Sequence, residues 1–265
     1  MKLLAALYFG AVKENLPASF TLNEQESLVW QCHRRDHAMD FLKAVPISGL
    51  NQTVAPRQFQ SILKYWLAIP FFEEDSRCSM CNRPMDIYAD HAVHCASEVG
   101  SKFRHDMVRD ALLDICYRSG VVARKEVSLG FLSNSDKELK PADIMVHNWE
   151  DDKDVCFDVT GISPFTTSRT RNTPPGQAII AAVSRKRTKY LHKCMTLGYG
   201  FQALAFSTMG ELGDDLVLFL KRLSNCLVSH DVNHKIGNSL FHRLGIIIQK
   251  GVGAQLVARL PSIDL

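Results

Sequence analysis

The sequence predicts an α/β fold with a mixed four-stranded sheet flanked by helices, preceded by a helical N-terminal segment. Short apolar runs typical of strands occur at 121–128, 141–147, 154–160 and 201–207, and helical apolar spacing lies before, between and after them. Three consecutive strands, a helix and a fourth strand are typical of a meander that continues through a helical crossover. The chain has 265 residues and is 46% apolar and 22% charged, which is enough to build a sizeable core.

Residues 1–72 form the predicted N-terminal helical segment. Apolar residues recur at helical spacing over 22–45, and a second helix should begin at Pro56 and end by Pro70. The first residues, MKLLAALYFGAVKEN, resemble a weak secretion signal but have no clear small-x-small cleavage site, so we expect a buried first helix or the edge of a longer ancestral chain instead.

The cysteines indicate a reducing compartment. Of the eight, five are scattered through apolar stretches and do not suggest a disulfide framework: Cys32, Cys116, Cys156, Cys194 and Cys226. No apolar run approaches 18 residues, so no membrane partner is expected. The sequence therefore predicts a nuclear or cytoplasmic protein that is not secreted.

The remaining cysteines belong to a predicted zinc knuckle over residues 73–98. Cys78-x2-Cys81-x9-His91-x3-Cys95 supplies four ligands of the kind that tetrahedral zinc prefers. His94 is an alternative to His91, but we favour His91 because residues four apart share a helix face with each other. Four protein ligands leave no open position, so a structural role for Zn²⁺ is predicted.

Residues 99–265 form the predicted main domain. Helices are expected at 99–118, 177–196, 210–228 and 235–258, around the four strands. The stretch 162–176 is rich in Ser, Thr and Pro, which is typical of a mobile loop. The net charge of +3 permits an anionic partner without requiring one.

Two aspartates stand where the strand pattern predicts burial. Asp143 follows Pro141 at the start of one strand, and Asp158 lies inside the apolar run 155–159. A buried carboxylate is costly unless it is paired or binds a metal. On neighbouring strands the two acids would bind a hard cation such as Mg²⁺, whereas an ordinary turn and an ion pair with arginine are the alternative interpretation.

A basic helix follows these strands. Residues 184–193 read SRKRTKYLHK, in which Lys186 and Lys189 are three apart and share a face, with Lys193 one turn further along. A lysine beside a carboxylate metal site can orient water or neutralise charge on a phosphate. The alternative interpretations are a solvated helix face or a localisation signal.

The ordered motifs resemble one protein family. They are C-x2-C…H-x3-C, RHD at 104–106, KPAD at 140–143, DVTG at 158–161, K-x2-K-Y at 186–190, and IQKGVGAQLVARLPS at 248–262. Together they resemble the restriction-like endonuclease at the C-terminal end of site-specific non-LTR retrotransposon polyproteins, which has the PD-(D/E)XK nuclease fold. Short plant proteins labelled as reverse-transcriptase-associated are similar over about residues 35–261.

The resemblance implies a Mg²⁺-dependent DNA endonuclease that nicks its target, with a restriction-endonuclease-like core. It places Asp143 and Asp158 as the metal-binding acids. Thr160 occupies the usual lysine position, so Lys186 or Lys189 would take over that role, and Glu126 or Asp106 would supply a further acid.

The implied partner is DNA, with RNA–DNA intermediates as a further class. Its predicted nucleic-acid contacts are Arg104, His105, Arg185, Arg187 and Lys193. The alternative function is a catalytically degenerate nucleic-acid-binding remnant, and a protein-interaction scaffold is a third option.

Overall fold

A computed structural model describes residues 10–12, 14–15, 20–95, 99–132, 138–165, 174–230 and 236–259. The predicted first helix begins outside the described residues. Most of the loop predicted at 162–176 also lies outside them.

The helices agree closely with the sequence pattern in the main domain and less well before it. In chain order they are α1 (Glu24–His33), α2 (Pro56–Trp66), α3 (Val99–Arg118), α4 (Gln177–Thr196), α5 (Asp214–His230) and α6 (Ile236–Val257). The single long helix expected over 22–45 is wrong, because α1 ends at His33 and only a short 3₁₀ helix, Asp40–Lys43, follows. His37 between them has φ +65°, which no α-helix accommodates.

The strands comprise the predicted four and two short pairs that the sequence did not predict. They are β1 (Ser76–Arg77), β2 (Pro84–Met85), β3 (Ala123–Val127), β4 (Phe131–Leu132), β5 (Glu138–Leu139), β6 (Ala142–Glu150), β7 (Lys153–Ile162) and β8 (Gly200–Ser207). The two-residue pairs β1–β2 and β4–β5 are too short to give an alternating pattern.

The central sheet is mixed, as predicted. Its order is β3-β6-β7-β8, with antiparallel β3–β6 and β6–β7 pairs and a parallel β7–β8 pair. Helix α4 connects the two parallel strands, because parallel neighbours need a long crossover. The structure is therefore an α/β fold with a four-stranded mixed sheet flanked by helices.

The two faces of the sheet belong to different cores. Val155, Phe157 and Val159 of β7 join the larger core, which helices α3, α5 and α6 cover. Cys156 points to the opposite face and packs with Tyr190 of α4 in a smaller cluster. Strand alternation places Asp158 on that second face, under α4.

The N-terminal helices and the cysteine-bearing segment pack on the main domain. Helix α2 and the 3₁₀ helix Asp40–Lys43 contact α6, and Trp66 Nε1 donates to Gln249 Oε1 of α6 over 2.8 Å. In the described part of the chain, no helix is both long and apolar enough to cross a bilayer.

Candidate functional site

The four predicted zinc ligands converge on one point. Their ligand atoms all lie within 4.8 Å of one another. The Sγ atoms of Cys78 and Cys95 are 3.8 Å apart, those of Cys95 and Cys81 are 3.6 Å apart, and Cys81 Sγ is 3.0 Å from His91 Nε2. Thiolates bound to tetrahedral zinc at about 2.3 Å are about 3.8 Å apart. The cluster can therefore hold a metal ion such as Zn²⁺.

His91 belongs to this cluster as predicted, but not through a helix face shared with Cys95. Residues Asp90–Val93 form a 3₁₀ helix that ends before Cys95, so His91 and Cys95 do not share an α-helical face. The left-handed conformation of Ala89, with φ +60°, precedes that helix. The ring of His94 lies 5.2 Å from that of His91, edge to face, and outside the ligand cluster.

The metal cluster is joined to the helix that follows it. Arg104 of α3 donates through Nη1 to the carbonyl of Val93, between the ligands His91 and Cys95, and also to Gln255 Oε1 of α6. Met85, Ala89, Ala92 and Val93 pack into the larger core. The segment 76–95 therefore shares the larger hydrophobic core with the main domain.

Asp143 and Asp158 face each other across neighbouring strands. Ile144 pairs with Phe157 in the antiparallel β6–β7 register, and the next position along places Asp143 opposite Asp158. Opposed residues in such a pair have Cβ atoms about 4.5–5.5 Å apart. The amide of Val159 donates to Asp143 Oδ2 over 2.7 Å, which fixes that carboxylate beside β7.

Lys186 of α4 forms an ion pair with Asp158. Its Nζ lies 3.0 Å from Oδ1 and 2.8 Å from Oδ2, while the Asp158 side chain is 3% exposed. The ion pair resolves why the sequence contains an acid inside a buried strand, because Asp158 obtains its charge partner from the crossover helix.

The pKa of Asp158 is raised despite that partner. Burial is the largest cause, the negative charge of Asp143 adds to it, and Lys186 and His105 oppose it, so that the pKa lies at about 6. A carboxyl that titrates in this range is typical of functional sites, although structural ion pairs also perturb pKa values.

His105 links two carboxylates at the mouth of the site. Its Nε2 is 3.0 Å from Asp143 Oδ2, and its Nδ1 is 3.2 Å from Asp106 Oδ1. Burial lowers the pKa of His105, but the hydrogen bonds to Asp143 and Asp106 and the charge of Asp143 outweigh it, so that the net shift is upward. Sequence reasoning treated His105 as a nucleic-acid contact and missed its bond to Asp143.

These groups line one cleft with a volume of about 340 Å³. Its wall brings the start of α3, the start of β6, the end of β7 and the middle of α4 together. The lining residues are Ser101, Lys102, Arg104, His105, Lys140, Asp143, Asp158, Val159, Thr160, Gly161, Lys186 and Tyr190. Lys102 and Lys140 are exposed at its rim, so that the cleft has a basic entrance and an acidic floor.

Gly161 is required by a close approach at the end of the cleft. A Cβ at this position would lie 2.7 Å from Cζ of Phe206 on the parallel neighbour β8. Real Cβ atoms do not approach a ring so closely, so a side chain here would require the Phe206 ring or strand β7 to shift. The DVTG motif therefore combines a charged group, Asp158, with a tight strand contact.

Two predicted catalytic residues are not brought into the cleft. Glu126 forms an ion pair with Arg109 and does not line the described cleft. Arg109 also contacts Asp106 and Asp110. The φ of Glu126 is +50°, but the β3–β6 register is the same on both sides of it, at Lys125 and Val127, so its assignment as a further acid stays a prediction. Lys189 is exposed and lies over the Tyr190 ring, 4.7 Å from its centroid, rather than at Asp158.

The predicted nucleic-acid contacts divide into a buried residue and surface residues. Arg104 is 3% exposed and its guanidinium donates to Val93 and Gln255 inside the protein, while it also lines the cleft, so its contact with nucleic acid stays a prediction. Arg185 is exposed on α4, Lys193 is half-buried, and Arg187 is paired with Asp215 at 2.9 Å. Only part of the basic stretch is therefore available to an anion.

Comparison with known proteins gives no independent assignment. The sequence matches no family model and no curated protein.

Proposed function

We propose that the protein is a metal-dependent DNA endonuclease of the PD-(D/E)XK type, derived from a non-LTR retrotransposon polyprotein. The observation that supports this most is the meeting of Asp143, Asp158 and Lys186 in one cleft, from two antiparallel strands and the following helix. The order of these elements is compatible with a restriction-endonuclease-like core.

The two carboxylates of the cleft are the kind of donor that a hard divalent cation prefers. Asp143 and Asp158 would hold it, and Mg²⁺ is the ion that the resemblance implies. Such an ion polarises a phosphodiester and lowers the pKa of a bound water. The chain itself orients the Asp143 carboxylate, because the Val159 N–H donates to it without an ion being bound.

Lys186 is the residue of the chain that we assign to the reacting phosphate. It occupies the side of Asp158 that faces α4 and is 32% exposed, so that its ammonium can reach both the carboxylate and a ligand in the cleft. A fixed positive charge stabilises the negative charge that develops on a phosphate during hydrolysis. The exposed Lys102 and Lys140 would bind neighbouring phosphates of the strand.

A plasmid-nicking assay tests the proposal. Wild type should convert supercoiled plasmid to the open-circular form with a divalent cation, and Asp158→Ala should not. Asp154→Ala is the matched control, because Asp154 lies on the same strand but pairs with His147 away from the cleft. Equal nicking by wild type and Asp158→Ala would reject the proposal.

The degenerate nucleic-acid-binding remnant is the second candidate. It is favoured by Thr160 at the usual lysine position and by the direct Lys186–Asp158 ion pair, in which Lys186 donates to Oδ1 of one proposed metal ligand. DNA binding without nicking under any divalent cation would select it.

A further inference from the structure

We propose that His105 is a metal ligand and that the cleft therefore prefers an ion of the first transition row, such as Mn²⁺, over Mg²⁺. The inference rests on the proposed function only in taking Asp143 as a ligand. It adds a nitrogen donor to a site for which the resemblance implies oxygen donors alone.

The separation of the two donor atoms matches a shared ion. His105 Nε2 and Asp143 Oδ2 are 3.0 Å apart. Ligands at right angles around a small divalent ion, each at about 2.1 Å, are separated by about 3.0 Å. The two donor atoms can therefore bind one ion without a change in their separation, once the imidazole ring turns so that its Nε2 lone pair faces the ion.

The second nitrogen of His105 has the partner that a metal-bound imidazole needs. Nδ1 lies 3.2 Å from Asp106 Oδ1, and a ligating histidine commonly donates its other N–H to a carboxylate. Asp106 is held in turn by Arg109, whose Nη1 is 2.8 Å from Asp106 Oδ1. The ring is thus fixed with Nε2 toward Asp143 and the floor of the cleft.

Both donors are in place without an ion. The amide of Val159 orients Asp143, Asp106 orients His105, and the two side chains come from β6 and α3, which are regular elements. Imidazole nitrogen is a better ligand for first-row transition ions than for Mg²⁺, which prefers oxygen and retains its water. The mixed donor pair therefore favours the transition ion.

Titration of zinc-loaded protein with Mn²⁺, followed by electron paramagnetic resonance, tests the inference without relying on cleavage. Loading with zinc first keeps the Cys78–Cys95 cluster occupied. We expect one Mn²⁺ per chain, bound at least 10-fold more tightly than Mg²⁺, and a nitrogen coupling from the imidazole in the pulsed spectrum. A wild-type spectrum without nitrogen coupling would overturn the inference whether or not any variant folds.

Variants locate the ligand. His105→Ala should weaken Mn²⁺ binding by about 100-fold and abolish the nitrogen coupling, and Asp106→Asn should weaken it by about 10-fold through loss of ring orientation. His147→Ala is the matched control, since His147 also bonds an aspartate, Asp154 at 2.8 Å, with similar exposure but outside the cleft. Unchanged Mn²⁺ affinity in His105→Ala would overturn the inference.

The two proposals fail differently. Nitrogen-coupled Mn²⁺ binding without plasmid nicking would reject the endonuclease and leave the metal ligand intact. The opposite result is nicking that depends on Asp158, together with Mg²⁺ and Mn²⁺ affinities that are the same in wild type and in His105→Ala. That result would support the endonuclease and reject His105 as a ligand.

Discussion

At the scale of the residue, the cleft contains a carboxylate, Asp158, at a position in a buried strand where an apolar side chain would be more stable. Asp158 is nearly inaccessible, and its one cationic partner described here, Lys186, comes from another element. A group whose folded-state pKa is about 6, compared with an ordinary 3.8, binds its proton more tightly in the folded chain. Ionised Asp158 therefore destabilises the fold above about pH 6, and this penalty disappears below about pH 4.

We expect Asp158→Asn to stabilise the protein near neutral pH. With no added divalent cation, the free energy of unfolding at about pH 7.5 should rise by about 1–3 kcal/mol, because the buried charge is removed. Lys186 is exposed enough to be solvated after losing its partner. Denaturant unfolding across pH measures this, and the gain should vanish near pH 4. A variant that is less stable than wild type at every pH would contradict the raised pKa.

The two candidate lysines differ in position and should differ in effect. Lys186→Ala should lower nicking by about 10²- to 10³-fold, the range typical for removing one group that stabilises developing charge. Lys189→Ala should change it by less than about 3-fold, because Lys189 lies over Tyr190 and not at Asp158. Rates from plasmid nicking under single-turnover conditions separate the two. The opposite ranking would show that Lys189 is the functional residue.

At the scale of the element, regular strands and helices were predictable and the contacts between them were not. The β-branched and aromatic runs located β6, β7 and β8 to within a few residues, and helical periodicity located α3 and α4. Lys186 and Lys189 are equivalent in sequence, since both lie on one basic stretch. The rotation of α4 on the sheet distinguishes them, and that rotation is set by the burial of Tyr190 and Cys194.

The same limit applies to the individual residues of a motif. RHD was visible as a motif, but only the packing of α3 shows that Arg104 is turned inward to Val93 while His105 is turned to Asp143. Adjacent helical residues point roughly 100° apart, so neighbours in a motif need not share a role.

Zinc bound by Cys78, Cys81, His91 and Cys95 should stabilise the start of α3 as well as the segment 76–95. Zinc removal should speed amide hydrogen exchange over 76–95 and in the first turns of α3, because Arg104 binds the Val93 carbonyl between two ligands. Amides of β6, β7 and β8 should stay protected. Hydrogen exchange followed by mass spectrometry, with and without chelator, measures this. If zinc removal speeds exchange only over 76–95, the Arg104–Val93 contact does not couple the metal cluster to the stability of α3.

Zinc content tests the ligand set by itself. Cys81→Ser and His91→Ala should lower bound zinc below one per chain, since each supplies one of four converging ligand atoms. His94→Ala is the control and should leave the content near one. Loss of zinc in His94→Ala with retention in His91→Ala would reverse the assignment.

At the scale of the whole molecule, the candidate functional surface combines parts that are distant in sequence. The start of α3 contributes His105, the sheet contributes two acids, and α4 contributes Lys186. The small net charge of +3 is less informative than this local arrangement, because exposed lysines stand at the entrance of an acidic cleft. A phosphate backbone would lie along the basic entrance and present one phosphodiester to the floor.

DNA affinity should therefore depend on salt through the unpaired surface cations. Each phosphate contact contributes about 0.9 to the slope of log K against log salt concentration. Lys140→Ala and Lys189→Ala should each reduce that slope by about 1, since both side chains are exposed. Arg187→Ala should reduce it by less, because Asp215 already neutralises that guanidinium at 2.9 Å.

Fluorescence anisotropy with a labelled duplex, in chelator-free buffer without divalent cation, measures binding apart from cleavage. A slope unaffected by Lys140→Ala and Lys189→Ala would place the DNA-binding surface away from the cleft. The absence of binding at about 50 mM salt would reject both the endonuclease and the nucleic-acid-binding remnant.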